Sequence, residues 1–180
     1  MIPDPVETPA LSVRPRTPAD LDDCVSALAL VHAHSRYPVN WPAEPAAWLT
    51  PATLLAAWVA EHDGRTVGHI ALCRGDDGDP ATALWAAHGN GVPAVGVNRL
   101  FVAPEARGLG AGAALMERAV GEARSRGLHP VLDVVATDPA AAFYARLGWR
   151  DLGRVDQRWG PDQVVPLRCY AAPAPVERAG

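Results

Sequence analysis

The chain has 180 residues, of which 49% are hydrophobic and 20% are charged. This balance is typical of a globular domain and excludes a disordered or collagen-like chain. The formal net charge of −4 predicts neither a nucleic-acid partner nor binding to an anionic membrane surface. All 16 basic residues are arginines, which excludes any mechanism that uses an internal lysine Schiff base.

The cysteines and the two ends of the chain are predicted to take no part in the chemistry. The three cysteines are widely spaced and are expected to be small buried side chains: Cys24, Cys73 and Cys169. Residues 1–10 and 173–180 are rich in Pro and Ala and predict flexible tails around a single domain at 11–172. The first tail does not resemble a signal peptide, and no stretch is long enough to span a membrane. We therefore expect a cytoplasmic protein.

The first half of the chain predicts a strand, a helix, an irregular segment and a hairpin. The strand-like segment "LSVRPR" precedes Thr17, which is expected to cap a helix whose first residue is Pro18. Apolar residues at helical spacing mark one buried face of this helix: Leu21, Cys24, Val25, Leu28 and Val31. The segment "SRYPVNWPAEPAAW" is interrupted by three prolines and predicts irregular structure with short helical pieces. Two apolar or alternating runs then flank Asp63-Gly64, a pair that favours a tight antiparallel hairpin.

The second half of the chain predicts strands that alternate with helices. The loop-like segments "RGDDGDP" and "HGNGVP" precede a strongly apolar strand, "AVGVNRLFV". A helix is predicted over residues 108–126, ended by Gly127, and a second apolar strand, "VLDVVA", follows it. Asp138-Pro139 opens a short helix that Gly148 closes, and "WRDLGRV" and "QVVPLRCYA" are expected to be the last strands. This order predicts an α/β fold, with a mixed sheet covered by helices.

Arg107 and the glycines at positions 108, 110 and 112 carry the clearest chemical signal. They place a guanidinium and bare backbone amides at the start of the predicted helix, a combination suited to a pyrophosphate. A Walker A loop is excluded because the chain contains no Gly-Lys-Ser/Thr. Two alternatives stay open: a turn needed only for packing, and a dinucleotide site of the Gly-x-Gly-x-x-Ala type. Against the dinucleotide site, "APEAR" separates Val102 from the first glycine, and Asp133 lies inside its strand.

Two sequence blocks together resemble the GNAT superfamily of acetyl-CoA-dependent N-acyltransferases. The segment "RGLGAG" at 107–112 matches that family's signature Arg/Gln-x-x-Gly-x-Gly/Ala, and the typical "RLFVAPEA" precedes it. The second block, "AAAFYARLGWRDLG" at 140–153, includes Tyr144 and the pair Gly148-Trp149. The resemblance covers about residues 11–172. It implies a mostly antiparallel mixed sheet, also described as α+β, whose strands are splayed at the cofactor and flanked by helices.

The resemblance also implies which residues bind acetyl-CoA, the acyl-donor substrate, with no metal involved. The backbone of the apolar strand is expected to pair with the pantetheine arm, and the glycine turn is expected to hold the pyrophosphate. The implied cofactor-binding residues are Leu100, Phe101, Val102, Arg107, Gly108, Leu109, Gly110, Ala111, Gly112 and Thr137. Thr137 departs from the family pattern, because an Asn often stands seven residues before the tyrosine.

The chemistry of acyl transfer to an amine gives Tyr144 its predicted role. The departing thiolate needs a proton, and a phenol is protonated at neutral pH. In resembling enzymes the equivalent tyrosine lies near the thioester sulfur, so Tyr144 is the expected general acid, with simple packing beside Phe143 as the alternative. No general base is assigned among four candidates: His34, His69, His88 and Glu105.

The acceptor is expected to be a primary amine of a small molecule or a peptide, attacking the thioester directly. The first helix and the segment with Tyr37, Trp41 and Trp48 are expected to form one wall of its cleft. Asn98 and Arg99 could hold a water or an acidic substrate group, with surface salt bridging as the alternative. The other function kept open is a non-catalytic acyl-CoA-binding sensor. The protein is expected to be a monomer or a homodimer.

Overall fold

The computed structural model describes residues 10–76, 78–89 and 91–176. Most of the predicted first tail and residues 177–180 of the second lie outside the described residues, and the single domain at 11–172 remains a prediction. The strands are β1 Ser12–Pro15, β2 Leu54–His62, β3 Arg65–Cys73, β4 Ala94–Val102, β5 His129–Val135, β6 Arg150–Gly160 and β7 Gln163–Ala171. The helices are α1 Leu21–Ser35, α2 Pro45–Trp48, α3 Pro80–Ala87, α4 Ala111–Ser125 and α5 Ala140–Arg146. No helix in these described ranges is long and apolar enough to cross a membrane.

The seven strands form one mixed sheet in the order β1-β2-β3-β4-β5-β7-β6. β1 with β2, β5 with β7 and β6 with β7 pair antiparallel, whereas β4 and β5 pair parallel. The hairpin predicted at Asp63-Gly64 is present, and both turn residues have positive φ, 53° and 71°. The predicted fold class, a mixed and mostly antiparallel sheet flanked by helices, is confirmed.

The chain divides into two compact units, each with its own core. The first runs to Leu72 and includes Asn98–Ala119; the second comprises Cys73–Val97 and the chain from Val120 onward. In the first unit the predicted face of α1 is buried, and its core residues are Cys24, Ala27, Leu28, Val31, Leu49, Val59 and Phe101. In the second unit α3 packs with three strands around Ala81, Trp85, Val131, Leu152, Cys169 and Ala171.

The start of the first helix differs in detail from the sequence prediction. Residues 18–20 form a 3₁₀ turn and α1 begins at Leu21. Thr17 stands at the cap position, but its side chain does not accept a bond from the helix. Oδ2 of Asp20 instead accepts from the Thr17 backbone N–H at 2.7 Å and from its hydroxyl at 3.0 Å. Asp20 also pairs with Arg14, and that hydrogen bond holds the pKa of its carboxyl well below the usual range.

Two other helices differ from the sequence prediction. The first residues of the predicted 108–126 helix are a turn, and α4 begins only at Ala111. The segment between the two predicted loops contains α3, which the sequence analysis missed. Its N-cap, Asp79, accepts bonds from the N–H groups of Ala81 and Thr82, and Pro80 fills the first helical position. The sequence Asp-Pro was the available signal for this helix.

Candidate active site

The glycine turn before α4 has the geometry that a phosphate-binding backbone requires. Gly108 and Gly110 have φ of 83° and 81°, the left-handed region that favours glycine. A β-carbon at either position would meet no atom within 4 Å, so the space above the turn is open. The first helical bond runs from the N–H of Ala114 to the carbonyl of Gly110 at 3.0 Å, which leaves the preceding amides of the helix start for a ligand. An open turn with uncovered amides of this kind fits a pyrophosphate such as that of CoA.

Arg107 supplies the cation of this turn. Its side chain is exposed, and among the described residues no hydrogen bond or ion pair engages its guanidinium. The turn is preceded by a 3₁₀ turn at Pro104–Ala106, and the N–H of Arg107 donates to the carbonyl of Pro104 at 3.3 Å. The guanidinium is therefore available to an anion held on the neighbouring amides.

The strand predicted to bind pantetheine is the end of β4. The pairing of β4 with β5 is short: Ala94, Val95 and Gly96 lie opposite His129, Pro130 and Val131. This register includes none of the residues Leu100–Val102, whose backbone the resemblance assigns to the pantetheine arm. Phe101 is buried in the core of the first unit, and the residues on either side of it are half-buried.

The two remaining sequence-predicted positions lie in the second unit. Thr137 is exposed in the turn after β5. Tyr144 lies on α5 and is buried within an aromatic cluster, with ring centroids 5.5 Å from Phe143, 6.0 Å from Trp149 and 5.8 Å from Tyr170. These ring contacts fix the position of the phenol ring and therefore of its hydroxyl.

His69, one of the four candidate bases, is fully buried on β3 with both ring nitrogens engaged. Nη1 of Arg16 lies 2.9 Å from Nε2, and because a guanidinium can only donate, Nε2 must be the acceptor. Nδ1 therefore carries the proton and donates to the carbonyl of Arg99 at 2.8 Å. The pKa of His69 is lowered to about 4, mainly by burial and also by the charges of Arg16 and Arg99. A ring whose lone pair is already occupied cannot accept the proton of an amine.

The other three candidate bases are exposed. His34 lies near the end of α1. His88 directly follows α3, and its Nδ1 lies 2.6 Å from the carbonyl of Leu84 in that helix. Glu105 lines a shallow depression together with residues of the β2–β3 hairpin, among them His62 and Arg65. None of the three contacts the glycine turn through a hydrogen bond recorded in the described residues, and the general base stays unassigned.

The residues just before the pantetheine strand have an unusual backbone. Arg99 has φ of 56°, a left-handed conformation that is costly for a residue with a β-carbon. Its guanidinium carbon lies 3.9 Å from the centre of the Trp48 ring, and its Nε donates to the carbonyl of Trp48 at 3.3 Å. The neighbouring Oδ1 of Asn98 is buried and has no hydrogen-bond partner in the part of the chain described. Sequence reasoning singled out both residues, but it had no signal for the stacking on Trp48.

The aromatic residues proposed for the acceptor wall divide into two groups. Tyr37 and Trp48 pack edge to face, with ring centroids 6.3 Å apart, at the margin of the first unit's core. Trp41 is 41% exposed and lies against His32, with centroids 5.2 Å apart. Trp48 therefore combines a core role with a face next to Arg99, Tyr37 packs against the core, and Trp41 is mainly a surface residue.

Comparisons with known proteins place this chain in a family. Residues 27–149 match the acetyltransferase (GNAT) family. An uncharacterized N-acetyltransferase of Mycobacterium tuberculosis is 32% identical over 139 residues, which cover 76% of this chain and 80% of that protein. The ribosomal-protein-S18-alanine N-acetyltransferase from Escherichia coli has a similar fold, with a TM-score of 0.65 at 19% identity over 95% of this chain and 97% of its own. Arabidopsis thaliana NAA60 in complex with acetyl-CoA gives a TM-score of 0.67 at 18% identity, over 90% and 97%. The family match and the mycobacterial relative show that the chain belongs to the GNAT family of acetyl-CoA-dependent acyltransferases.

Proposed function

We propose that the protein transfers the acetyl group of acetyl-CoA to a primary amine of a small molecule or a peptide by direct attack of the amine. The observation that carries this proposal is the open glycine turn before α4, where two left-handed glycines leave the backbone amides uncovered. When bound, acetyl-CoA supplies the acetyl group as a thioester. The chain itself has to bind the donor, orient the acceptor and provide a proton for the departing thiolate.

Donor binding is assigned to two consecutive segments of the first unit. The amides of residues 108–112 and the guanidinium of Arg107 hold the pyrophosphate, since charge-assisted hydrogen bonds from amides and arginine suit that group. The backbone of Leu100–Val102 pairs with the pantetheine arm. Thr137, in place of the more usual Asn, is assigned a weaker contact to the donor.

Tyr144 is assigned as the proton donor to the thiolate. Its ring is fixed by Phe143, Trp149 and Tyr170, so that the hydroxyl can be held at a constant position. His69 is not the base in this scheme, because Arg16 occupies its lone pair. The acceptor enters as the neutral amine: its nitrogen bonds to the thioester carbon, the C–S bond breaks, and the proton that the nitrogen loses passes to solvent, from which the Tyr144 phenolate is reprotonated.

A direct assay tests the proposal. The protein is incubated with acetyl-CoA and a panel of primary amines that includes small molecules and an alanine-starting peptide, since the Escherichia coli neighbour is named for an alanine acceptor. Release of the CoA thiol together with a gain of one acetyl group in the acceptor supports acetyl transfer. Binding of acetyl-CoA by calorimetry without turnover of any amine supports the sensor alternative. Size-exclusion chromatography with light scattering decides between the expected monomer and homodimer.

A further inference from the structure

We propose that Arg99 binds a carboxylate of the acceptor, so that the preferred substrates are amines that also carry a carboxylate group. This inference rests on the acetyl transfer proposed above and names the class of acceptor for the same site. It starts from position: Arg99 immediately precedes Leu100, the first residue of the strand assigned to pantetheine. A group bound by Arg99 therefore lies next to the part of the chain that holds the reactive end of the donor.

The main chain of Arg99 is held firmly in its left-handed conformation. Its carbonyl accepts the Nδ1 proton of His69 at 2.8 Å, and Arg16 donates to the other ring nitrogen, Nε2, at 2.9 Å. His69 also stacks on Phe101, with centroids 5.3 Å apart and an interplanar angle of 15°. Strained backbone that is supported in this way is common at ligand-binding positions.

The side chain of Arg99 is held as well. The guanidinium lies over the ring of Trp48, and Nε donates to the carbonyl of the same residue. Trp48 in turn contacts Tyr37, in the segment predicted to line the acceptor cleft. Because the head group is positioned before any ligand arrives, little rotamer entropy is lost when it binds.

Within the described part of the chain, the two terminal nitrogens of this guanidinium have no partner. In the described ranges, neither Nη1 nor Nη2 makes a hydrogen bond or an ion pair, although the residue is half-buried. Neither nitrogen is among the buried atoms that lack a partner, so both are open to solvent and an anion from outside the chain can reach them.

The geometry of the site favours a carboxylate over a phosphate. The ring of Trp48 covers one face of the guanidinium, so the Nη hydrogens point outward from its edge, where a planar carboxylate accepts two parallel bonds. A phosphate would call for a second cation. Arg16, which shares the partner His69 with the Arg99 backbone, already donates to the carbonyl of Leu49, to the hydroxyl of Thr50 and to His69.

The test compares carboxylate and carboxamide forms of the same amine. Phenylalanine with phenylalaninamide, and β-alanine with β-alaninamide, are titrated by calorimetry into the CoA-loaded protein, and kcat/KM for acetyl transfer is measured for each. The proteins are the wild type, Arg99→Gln, Arg99→Lys and the control Arg118→Gln. Arg118 is an exposed arginine of the same unit that lies 5.6 Å from the Trp58 ring. For each protein we take the ratio of the carboxylate form to the carboxamide form, both for Kd and for kcat/KM. The amines of the two forms differ in basicity, but this difference is the same for every protein and cancels when the ratios are compared.

We expect the wild type to bind the carboxylate form about 10- to 100-fold more tightly, as charge-assisted hydrogen bonds allow. Arg99→Gln should abolish this preference through Kd and KM, Arg99→Lys should retain part of it, and Arg118→Gln should retain all of it. Equal binding of the two forms by the wild type, or a preference that survives in Arg99→Gln, overturns the carboxylate site even where amides are acetylated. Carboxylate binding that depends on Arg99 without acetyl transfer to any amine overturns the proposed function and supports the site.

Discussion

Arg16 and His69 form a partly buried hydrogen bond of 2.9 Å that determines which nitrogen of the imidazole carries the proton. The donor-only guanidinium makes Nε2 an acceptor, and the ring then donates from Nδ1 to the backbone next to the pantetheine strand. A second proton on this ring would break the bond to Arg16 and place two positive charges in contact. His69 is therefore a structural support of β4 that must stay neutral.

The neutral state of His69 predicts an acid-sensitive fold. Its pKa is about 4 in the folded protein, against an ordinary value near 6.5, so between these pH values only the unfolded chain takes up the proton. The free energy of unfolding should therefore fall as the pH is lowered from 6.5 to 4, by about 2 kcal/mol at pH 5 from this residue. Urea unfolding at pH 7 and pH 5 measures the loss, and His69→Gln, which keeps a donor and an acceptor, should show a smaller one. Burial also lowers the pKa of His129, so only the difference between the two proteins reports on His69. Equal losses would contradict the assignment.

The glycine turn can be tested with two substitutions of equal backbone strain. Gly110 and Gly127 have φ of 81° and 71°, and a β-carbon at either would meet no atom within 4 Å. Each change to Ala should therefore lower the free energy of unfolding by a similar amount, about 1 kcal/mol. Only Gly110→Ala should also weaken CoA binding, by about tenfold or more, since its methyl group would stand where the phosphates approach. If calorimetry shows unchanged CoA affinity in folded Gly110→Ala, the pyrophosphate does not bind at this turn.

Arg107→Ala should weaken CoA binding by roughly 1 to 3 kcal/mol, the usual value of a charge-assisted hydrogen bond. The control is Arg154→Ala, which removes an exposed arginine of β6 and changes the net charge equally. The affinity of this control should match that of the wild type, and the difference between the variants should shrink at high salt. Equal losses in both variants would indicate a general charge effect instead of a contact.

The substitution Tyr144→Phe distinguishes the role of the hydroxyl from that of the ring, because it removes only the hydroxyl. The phenylalanine ring preserves the packing against Phe143, Trp149 and Tyr170, so folding and CoA affinity should change little. The single-turnover rate of acetyl transfer should fall by about 10²- to 10⁴-fold if the hydroxyl is the proton donor. Single turnover is the proper measurement, because product release limits kcat in many enzymes. A rate equal to that of the wild type would leave Tyr144 as a packing residue.

The cysteines should be unreactive in the folded protein. All three are buried, and burial raises the pKa of Cys24 to about 11 and that of Cys169 to about 12. Titration with a chromogenic disulfide at pH 8 should detect no fast thiol in the native protein and three after unfolding in urea. Rapid native labelling would show that one of these side chains opens to solvent.

Elements with a local signal were predictable from the sequence, and the contacts that position them were not. β4 has the predicted bounds because six of its nine residues are hydrophobic and a proline lies near each end. α3 was missed because its short apolar stretch lies between two glycine-rich loops, although Asp79-Pro80 marks its start. The late start of α4 follows from the left-handed φ of Gly110, which periodicity cannot reveal.

The chemistry of the site was only partly predictable for the same reason. The glycine signature is contiguous and was read directly. The bond between Arg16 and His69 joins residues 53 positions apart, and the stacking of Arg99 on Trp48 joins residues 51 apart. No pattern of spacing in one sequence connects such pairs. His69 could therefore be excluded as the general base only once the structure showed its contact with Arg16.

The left-handed backbone of Arg99 also limits how the protein can be engineered. Consensus or computational searches for thermostability would favour Gly or Asn at such a position, because both adopt positive φ more easily than arginine. Either replacement would remove the guanidinium proposed to select the acceptor. Higher melting temperature and retained substrate selectivity therefore oppose each other at this residue, and a stabilised variant has to gain its stability elsewhere in the chain.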